Sequence, residues 1–189
     1  MKNLKNKIKD LFQKRKKLVY LGVFILFVVF LYANKITKKT SGTVTQAKSV
    51  FAEINKSFEF NALNSQGKEV KDKIQLKITN IEKTNQVYVQ DKPFTARNEK
   101  LFLIVNLELK NDATQPLNII PGDLVRLSIA DNNDAKFAPD LHNNMVSVSA
   151  ISTKIDRVGF VIPDTAKSFK LYVGEIEGKK EEIQISFAS

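Results

Sequence analysis

Residues 18–33 form a run of sixteen residues without a charged side chain, and this run limits what the chain can fold into more than any other feature. A helix of this length rises about 24 Å, against a hydrocarbon core of roughly 30 Å. Flanking lysines can extend to the headgroups and make up the difference. The run therefore predicts one transmembrane helix. We expect these side chains at the membrane interface: Lys14, Arg15, Lys16, Lys17, Tyr20, Tyr32 and Lys35.

Lysine and arginine are unevenly distributed around the apolar run. Eight of them lie in residues 1–17, against one aspartate, and three follow the run in residues 34–40. This bias predicts a single-pass protein of the cell membrane, with a cytoplasmic N-terminus and an extracytoplasmic C-terminal domain. A cleaved secretory signal is the alternative. An uncleaved anchor is favoured, because Ala33 at position −1 would place the bulky Leu31 at position −3.

The net charge of +10 belongs to the same part of the sequence. Residues 1–40 carry the whole excess, and residues 41–189 hold equal numbers of basic and acidic side chains. A nucleic-acid-binding domain normally carries its positive charge on its own folded surface. We therefore expect no nucleic acid among the partners. The expected partners are the lipid bilayer, through residues 18–33, and a protein or envelope polymer.

Beyond the anchor, the hydrophobic pattern changes twice. Residues 34–56 are interpreted as a linker, in which the apolar spacing at Val50, Phe51 and Ile54 predicts a short amphipathic helix or turn near residues 45–56. In residues 57–189 apolar and polar side chains alternate in short runs separated by turn sequences. Seven to nine strands without a helical stripe predict an all-β antiparallel sandwich.

Single residues refine this picture. Asn111 is expected to end a strand by bonding its own backbone. Gly159 indicates a bulge or a close backbone approach within a strand, which Pro163 should end. Because neither cysteine nor tryptophan is present, we expect the core to depend on phenylalanines: Phe58, Phe60, Phe102, Phe160, Phe169 and Phe187.

Several strand ends resemble those of a known family. The segments include Leu109-Lys110-Asn111, Pro116-Leu117-Asn118-Ile119, Gly159-Phe160-Val161-Ile162-Pro163 and Phe169-Lys170-Leu171-Tyr172-Val173. Over roughly residues 58–187 the chain resembles the telokin-like, immunoglobulin-type domain of uncharacterised bacterial surface proteins and lipoproteins. The resemblance implies an immunoglobulin-like β-sandwich, anchored or secreted outside the membrane. It implies no ligand and no catalytic residue.

The side chains needed for common chemistries are scarce. His142 is the only histidine and cysteine is absent, which argues against histidine triads, His-pair metal sites and thiolate sites. The oxygen-rich stretch 131–134 lacks the spacing of a dedicated calcium loop and is interpreted as a hairpin turn. We expect no catalytic, metal-binding or cofactor-binding residue, and no enzymatic activity. A hydrolase whose carboxylates meet only in space is the least favoured alternative.

Apolar side chains in apparent loops are the remaining functional signal. Tyr88, Phe94 and Met145 are candidate partner-binding residues, because loops at the ends of a sandwich commonly bind partners. The alternative is that they belong to edge strands or a satellite core. The sequence predicts a membrane-anchored extracytoplasmic binding or interaction module without catalytic activity. A structural accessory subunit of a membrane or envelope complex is the alternative.

Overall fold

The computed structural model describes residues 47–129 and 135–187. Their elements, in chain order, are β1 Ser49–Leu63, β2 Glu69–Thr84, β3 Gln86–Val89, β4 Lys92–Thr95, β5 Lys100–Asn111, β6 Leu117–Ile119, α1 Pro121–Leu124, β7 Val125–Ile129, β8 Val146–Val148, β9 Ser152–Pro163, β10 Phe169–Val173 and β11 Glu181–Ile185. The described part therefore has more strands than the sequence predicts. The additional ones are short, with three or four residues each.

The strands form two main sheets and one hairpin. The large sheet has the order β8-β6-β1-β2-β5-β9, the small sheet has the order β11-β10-β7, and β3 pairs with β4. Neighbouring strands are antiparallel throughout. A single apolar core contains side chains from the inner faces of both main sheets. The described residues thus form an all-β sandwich, as the alternation of apolar and polar residues predicts.

Aliphatic side chains supply most of this core, together with a few phenylalanines. Phe160 and Phe169 are buried, and Phe169 meets the ring of Phe187 edge-on at 6.1 Å. Phe60 is also buried and stacks on Phe58. The expectation for Phe102 is wrong. Its partner on β9 is the exposed Val161, and it lies on the outer face of the large sheet because its neighbours Leu101 and Leu103 have the inward position.

The predicted helix or turn over residues 45–56 is also wrong. From Ser49 onward this stretch is the first half of β1, paired with the end of β2. A helix would bury Phe51 together with Val50 and Ile54, yet Phe51 is 51% exposed and its neighbour Ala52 is buried. Val50 and Ile54 fit both conformations, because residues four positions apart lie on one face of a strand and also on one face of a helix.

Two bulges next to each other interrupt the large sheet. One lies in β1 between Glu53 and Lys56, where Asn55 has a φ of 50°, and one lies in β2 between Ile78 and Asn80. Each inserts one extra residue relative to the neighbouring strand, so β1 is longer than β2 and β2 is longer than β5 over the same stretch. Bulges bend a strand and increase its twist. Side by side, the two bulges favour a bend of the large sheet at this point.

Residues 137–141, here called the crossing segment, close one side of the sandwich. Phe137 exchanges two backbone hydrogen bonds with Leu127 at the edge of the small sheet. Four residues later, Leu141 exchanges two with Gly159 at the edge of the large sheet. Asp140 adds a hydrogen bond from the Val161 N–H to its Oδ2, at 2.7 Å. The crossing segment thus pairs with both sheets.

The single-residue predictions in this region are confirmed. Asn111 ends β5, and its Oδ1 accepts a hydrogen bond from the Ala113 N–H at 2.9 Å. Pro163 is the last residue of β9. Gly159 lies in an unbroken register with β5, so it marks a close approach and not a bulge. A Cβ built on Gly159 would lie 2.8 Å from Ile104 Cδ1 and 3.1 Å from Leu141 Cδ1.

The predicted anchor, residues 18–33, lies outside the described residues. The same holds for the calcium-loop alternative at residues 131–134. Within the part of the chain that is described, no helix combines the length and the hydropathy that a membrane span requires. The predicted interface residues that also lie outside it are Lys14, Arg15, Lys16, Lys17, Tyr20, Tyr32 and Lys35.

Candidate functional site

A cleft of about 450 Å³ lies on the outer face of the large sheet, and we call it the hairpin cleft. Its floor is formed by β5 and β9. One wall is the β3–β4 hairpin, and the other is the end of the crossing segment with the residues that follow it. The lining residues are Val87, Tyr88, Val89, Gln90, Ile104, Asp140, Leu141, His142, Asn144, Arg157, Val158 and Gly159.

The hairpin wall has a defined geometry. Its two-residue loop, Gln90 and Asp91, has positive φ at both positions, 49° and 60°. This is the pattern of a type I′ turn, whose twist matches that of antiparallel strands. Val87 is buried, and the Arg157 guanidinium donates a hydrogen bond to the Tyr88 carbonyl at 2.9 Å. The burial of Val87 and the charged hydrogen bond from Arg157 therefore both restrain the hairpin.

The opposite wall depends on Gly159. Because this residue has no Cβ, the Leu141 side chain can lie directly over the strand, next to the buried Ile104. Beyond Leu141 the backbone turns away at His142, whose φ is 58°. The imidazole is exposed and lies at the rim of the cleft.

The cleft has an apolar floor and a few polar groups at its rim. Ile104, Leu141 and Val87 supply the apolar surface, and Asp140 and Arg157 supply opposite charges. The Asp140 carboxylate already accepts the Val161 N–H, and Arg157 already donates to Tyr88. Apolar clefts with a few fixed polar groups are typical of binding sites. This arrangement can hold an apolar side chain and orient its polar neighbours.

The structure separates the three predicted partner-binding residues. Tyr88 lines the hairpin cleft and is 56% exposed. Phe94 lies on the same hairpin, opposite Val87, and is 52% exposed, but it does not line the cleft. Met145 is exposed and follows the lining residue Asn144 without lining the cleft itself. Tyr88 and Phe94 lie in the strands of a two-stranded hairpin and not in loops, which agrees with the edge-strand alternative.

Sequence reasoning did not find the other half of the cleft. Arg157 and Leu141 carry no local signal of a site, since each is a common residue in a strand or loop. Gly159 was the available signal, because a glycine inside a strand indicates a close approach. The residue that approaches Gly159 is Leu141 of the crossing segment, which is eighteen residues away along the chain.

A second cleft, of about 700 Å³, lies beyond the end of β1 at Leu63. Its lining includes the exposed Ile176 and an acidic rim without a basic side chain. The rim carboxylates are Glu69, Asp123, Glu175 and Glu177. In the described residues, no group of three or more histidine, aspartate or glutamate side chains is placed to hold a metal ion. None of the predicted partner-binding residues lines this second cleft.

An ionic cluster lies on the small sheet, outside both clefts. Lys170 pairs with Glu182 at 2.9 Å, and the hydrogen bond from Lys170 lowers the pKa of Glu182. Burial raises the pKa of the neighbouring Tyr172, and the Glu182 carboxylate acts in the same direction. The Lys136 ammonium lies 4.9 Å from the centre of the Tyr172 ring. The contacts of Glu182 with Lys170 and Tyr172 stabilise the pairing of β10 with β11.

A comparison with protein-family models finds no match, and a search of curated proteins finds none either. Two solved structures are similar to the chain. A conserved hypothetical protein from Bacillus anthracis is 18% identical, with a TM-score of 0.46, over 72% of this chain and 97% of that one. An uncharacterized β-sandwich protein from Clostridium difficile 630 is 20% identical, with a TM-score of 0.44, over 62% of this chain and 88% of that one.

Proposed function

We propose that this chain is a non-enzymatic binding module held at the outer surface of a cell membrane. Residues 18–33 are its transmembrane anchor, with the basic N-terminus in the cytoplasm. The sandwich is of the telokin-like, immunoglobulin type, and it binds a protein or an envelope polymer at the hairpin cleft. The observation that carries this proposal is the exposed apolar surface of the β3–β4 hairpin, where Tyr88, Val89 and Phe94 are each more than 40% exposed.

Two physical arguments support a binding role for this hairpin. Aromatic side chains on a rigid scaffold contribute most of the binding free energy in many interfaces, because they bury a large area at a small entropic cost. Tyr88 and Phe94 are on a hairpin whose turn type and Arg157 contact restrain it. The adjoining cleft offers the apolar floor that a partner side chain would enter. Exposed apolar patches of this kind mark interaction sites.

A site-specific photo-crosslinker tests the proposed surface. We expect a crosslinking amino acid at Tyr88 or at Phe94, in the full-length chain in its native membrane, to yield one discrete adduct. The same probe at Ile176, which is 61% exposed in the second cleft, is the matched control and should yield none. Tyr88→Ala should weaken binding of the captured partner by about tenfold or more. Equal adducts at all three positions would contradict the proposed site.

The proposed topology is tested separately, with a protease and intact spheroplasts. We expect a C-terminal tag to be digested from outside, and an N-terminal tag to be digested only after lysis, because the lysine bias fixes the orientation. The chain should also remain in the membrane pellet after an alkaline wash. A mature protein whose N-terminus lies near Asn34 would show that residues 18–33 are a cleaved signal. Protection of the C-terminal tag would overturn the orientation.

A further inference from the structure

The edge of β9 is covered over only part of its length. Gly159 turns both its N–H and its C=O away from β5 and toward Leu141. In an antiparallel strand, alternate residues point their backbone groups to the same side. Thr153, Ile155 and Arg157 therefore point theirs to the same free edge. In the described residues, no hydrogen bond engages these backbone groups.

The uncovered stretch also exposes apolar surface. Ile155 is 71% exposed, and Thr153 and Lys154 beside it are exposed as well. An open edge with an exposed aliphatic side chain is a ready template for pairing with another strand. The crossing segment ends the open stretch at Gly159. A strand added here can therefore pair with about five residues, from Thr153 to Arg157.

The charges along the edge select which strand fits. If a second copy of β9 is placed antiparallel with Ile155 opposite its own equivalent, Lys154 lies opposite Asp156 of the other copy on both sides of the two-fold axis. Sliding one copy by two residues in either direction keeps the same backbone groups facing each other. One of these shifted registers places Lys154 opposite Lys154, and the other places Asp156 opposite Asp156. Opposite charges directly across a strand pair stabilise it, and like charges destabilise it. The edge is thus complementary to itself in one register.

The Asp156 carboxylate supports the same register. Asp156 is half-buried, and its Oδ2 is a buried oxygen without a hydrogen-bond partner in the part of the chain that is described. Lys154 donates only to the Ser147 carbonyl, at 3.1 Å, among the hydrogen bonds of that part. Neither side chain belongs to an ion pair of the described residues. A second copy would supply each with a partner of opposite charge.

We propose that two copies of this chain form a symmetric dimer by antiparallel pairing of their β9 edges, centred on Ile155. Thr153 of each copy pairs with Arg157 of the other, and about six backbone hydrogen bonds join the two large sheets. Lys154 and Asp156 form two intermolecular ion pairs on the inner face. The dimer requires neither the membrane anchor nor a ligand in the hairpin cleft. A negative result in the binding or topology experiments would therefore not contradict the dimer. Absence of the dimer would likewise not contradict the proposed binding site or topology.

Cysteine crosslinking of the full-length chain tests this pairing, because the natural sequence contains no cysteine. In the proposed register the two copies of residue 155 have Cα atoms about 5.5 Å apart, within reach of a short bis-maleimide crosslinker. We expect Ile155→Cys to give mostly a covalent dimer with this reagent. Ile151→Cys is the matched control, since both isoleucines are 71% exposed. The two copies of residue 151 would be roughly 26 Å apart, so this variant should give no covalent dimer.

Charge variants in the Ile155→Cys background test the register. Lys154→Glu and Asp156→Lys should each lower the dimer yield by about tenfold, because each places like charges opposite one another twice. The double variant Lys154→Glu/Asp156→Lys restores opposite charges and should restore the yield. Thermal unfolding of each variant shows that the domain remains folded. Equal crosslinking of the two cysteine variants, or no crosslinking of Ile155→Cys, would overturn the proposal, as would a double variant no better than the single ones.

Discussion

Replacing Asn111 with aspartate is expected to destabilise the domain by about 3–5 kcal/mol at neutral pH. The Asn111 side chain is fully buried at the end of β5. Its Nδ2 group donates to the carbonyl oxygens of Gln115, Val148 and Ser149 at 2.8, 3.1 and 3.0 Å. In Asn111→Asp this donor becomes a carboxylate oxygen that faces three other oxygens. The cost is measured by chemical denaturation of the full-length chain.

The pH dependence of this variant provides its internal check. Three carbonyl oxygens favour the protonated form of the new carboxyl, so its pKa in the folded state is raised above the unfolded value of about 3.9. The folded state then binds a proton that the unfolded state has lost. The destabilisation relative to the natural protein is therefore smallest at acid pH, grows as pH rises from about 3.9 to the folded-state pKa, and is constant above it.

Two controls separate the charge from the lost hydrogen bonds. Asn111→Ala removes the same donors without adding a charge, so its cost relative to the natural protein should not depend on pH. Asn61→Asp makes the same chemical change at an exposed position of β1 and should alter stability by about 0.5 kcal/mol or less. A pH-independent cost for Asn111→Asp would show that the carboxylate reaches solvent or a cation.

The second large effect is expected at Gly159. Gly159→Ala places a Cβ 2.8 Å from Ile104 Cδ1 and within 3.2 Å of Leu141 Cβ, so the Ile104 side chain must shift and Leu141 must give by a few tenths of an ångström. Overpacking of this kind typically costs about 1–3 kcal/mol. Because Leu141 forms a wall of the hairpin cleft, the same variant should weaken partner binding. Thermal unfolding measures the stability, and hydrogen exchange at the Gly159 and Leu141 amides reports on the local pairing.

A compensating substitution tests the cause of this effect. Ile104→Val removes the Cδ1 atom that the new Cβ would meet and costs about 0.5–1.5 kcal/mol by itself. The double variant Gly159→Ala/Ile104→Val should be less destabilised than the sum of the two single variants by about 1 kcal/mol. Additive costs would show that Leu141, and not Ile104, limits the space above Gly159.

Local sequence patterns predicted the parts of the fold that depend on neighbouring residues. The alternation of apolar and polar side chains over residues 57–189 predicted strands, and in β2 its apolar positions Ile74, Leu76 and Ile78 are buried. Asn111 and Pro163 identified strand ends, because their chemistry acts within a few residues. The amphipathic spacing near Val50 failed because the partner strand β2, and not the local sequence, decides that β1 is extended.

The candidate site was predictable only on its hairpin side. Tyr88 and Phe94 were visible because apolar residues in a short polar stretch are unusual. The opposite wall was not, because it depends on the crossing segment pairing with Gly159 across the fold. Long-range contacts of this kind follow from topology and leave no periodic signal. The same holds for the open edge of β9, which is defined by where that pairing stops.

The crossing segment pairs with an edge strand of each sheet, so it couples the loss of hydrogen bonds at one sheet edge to their loss at the other. Its hydrogen bonds to Leu127 and to Gly159 are separated by only four residues, from Phe137 to Leu141. Moving the two sheets apart would therefore strain both sets of bonds at once. Protection against solvent exchange at the edge of β7 and at the edge of β9 should accordingly be lost in one cooperative event. The sandwich thereby gains, from backbone alone, a coupling that many exported domains obtain from a disulfide.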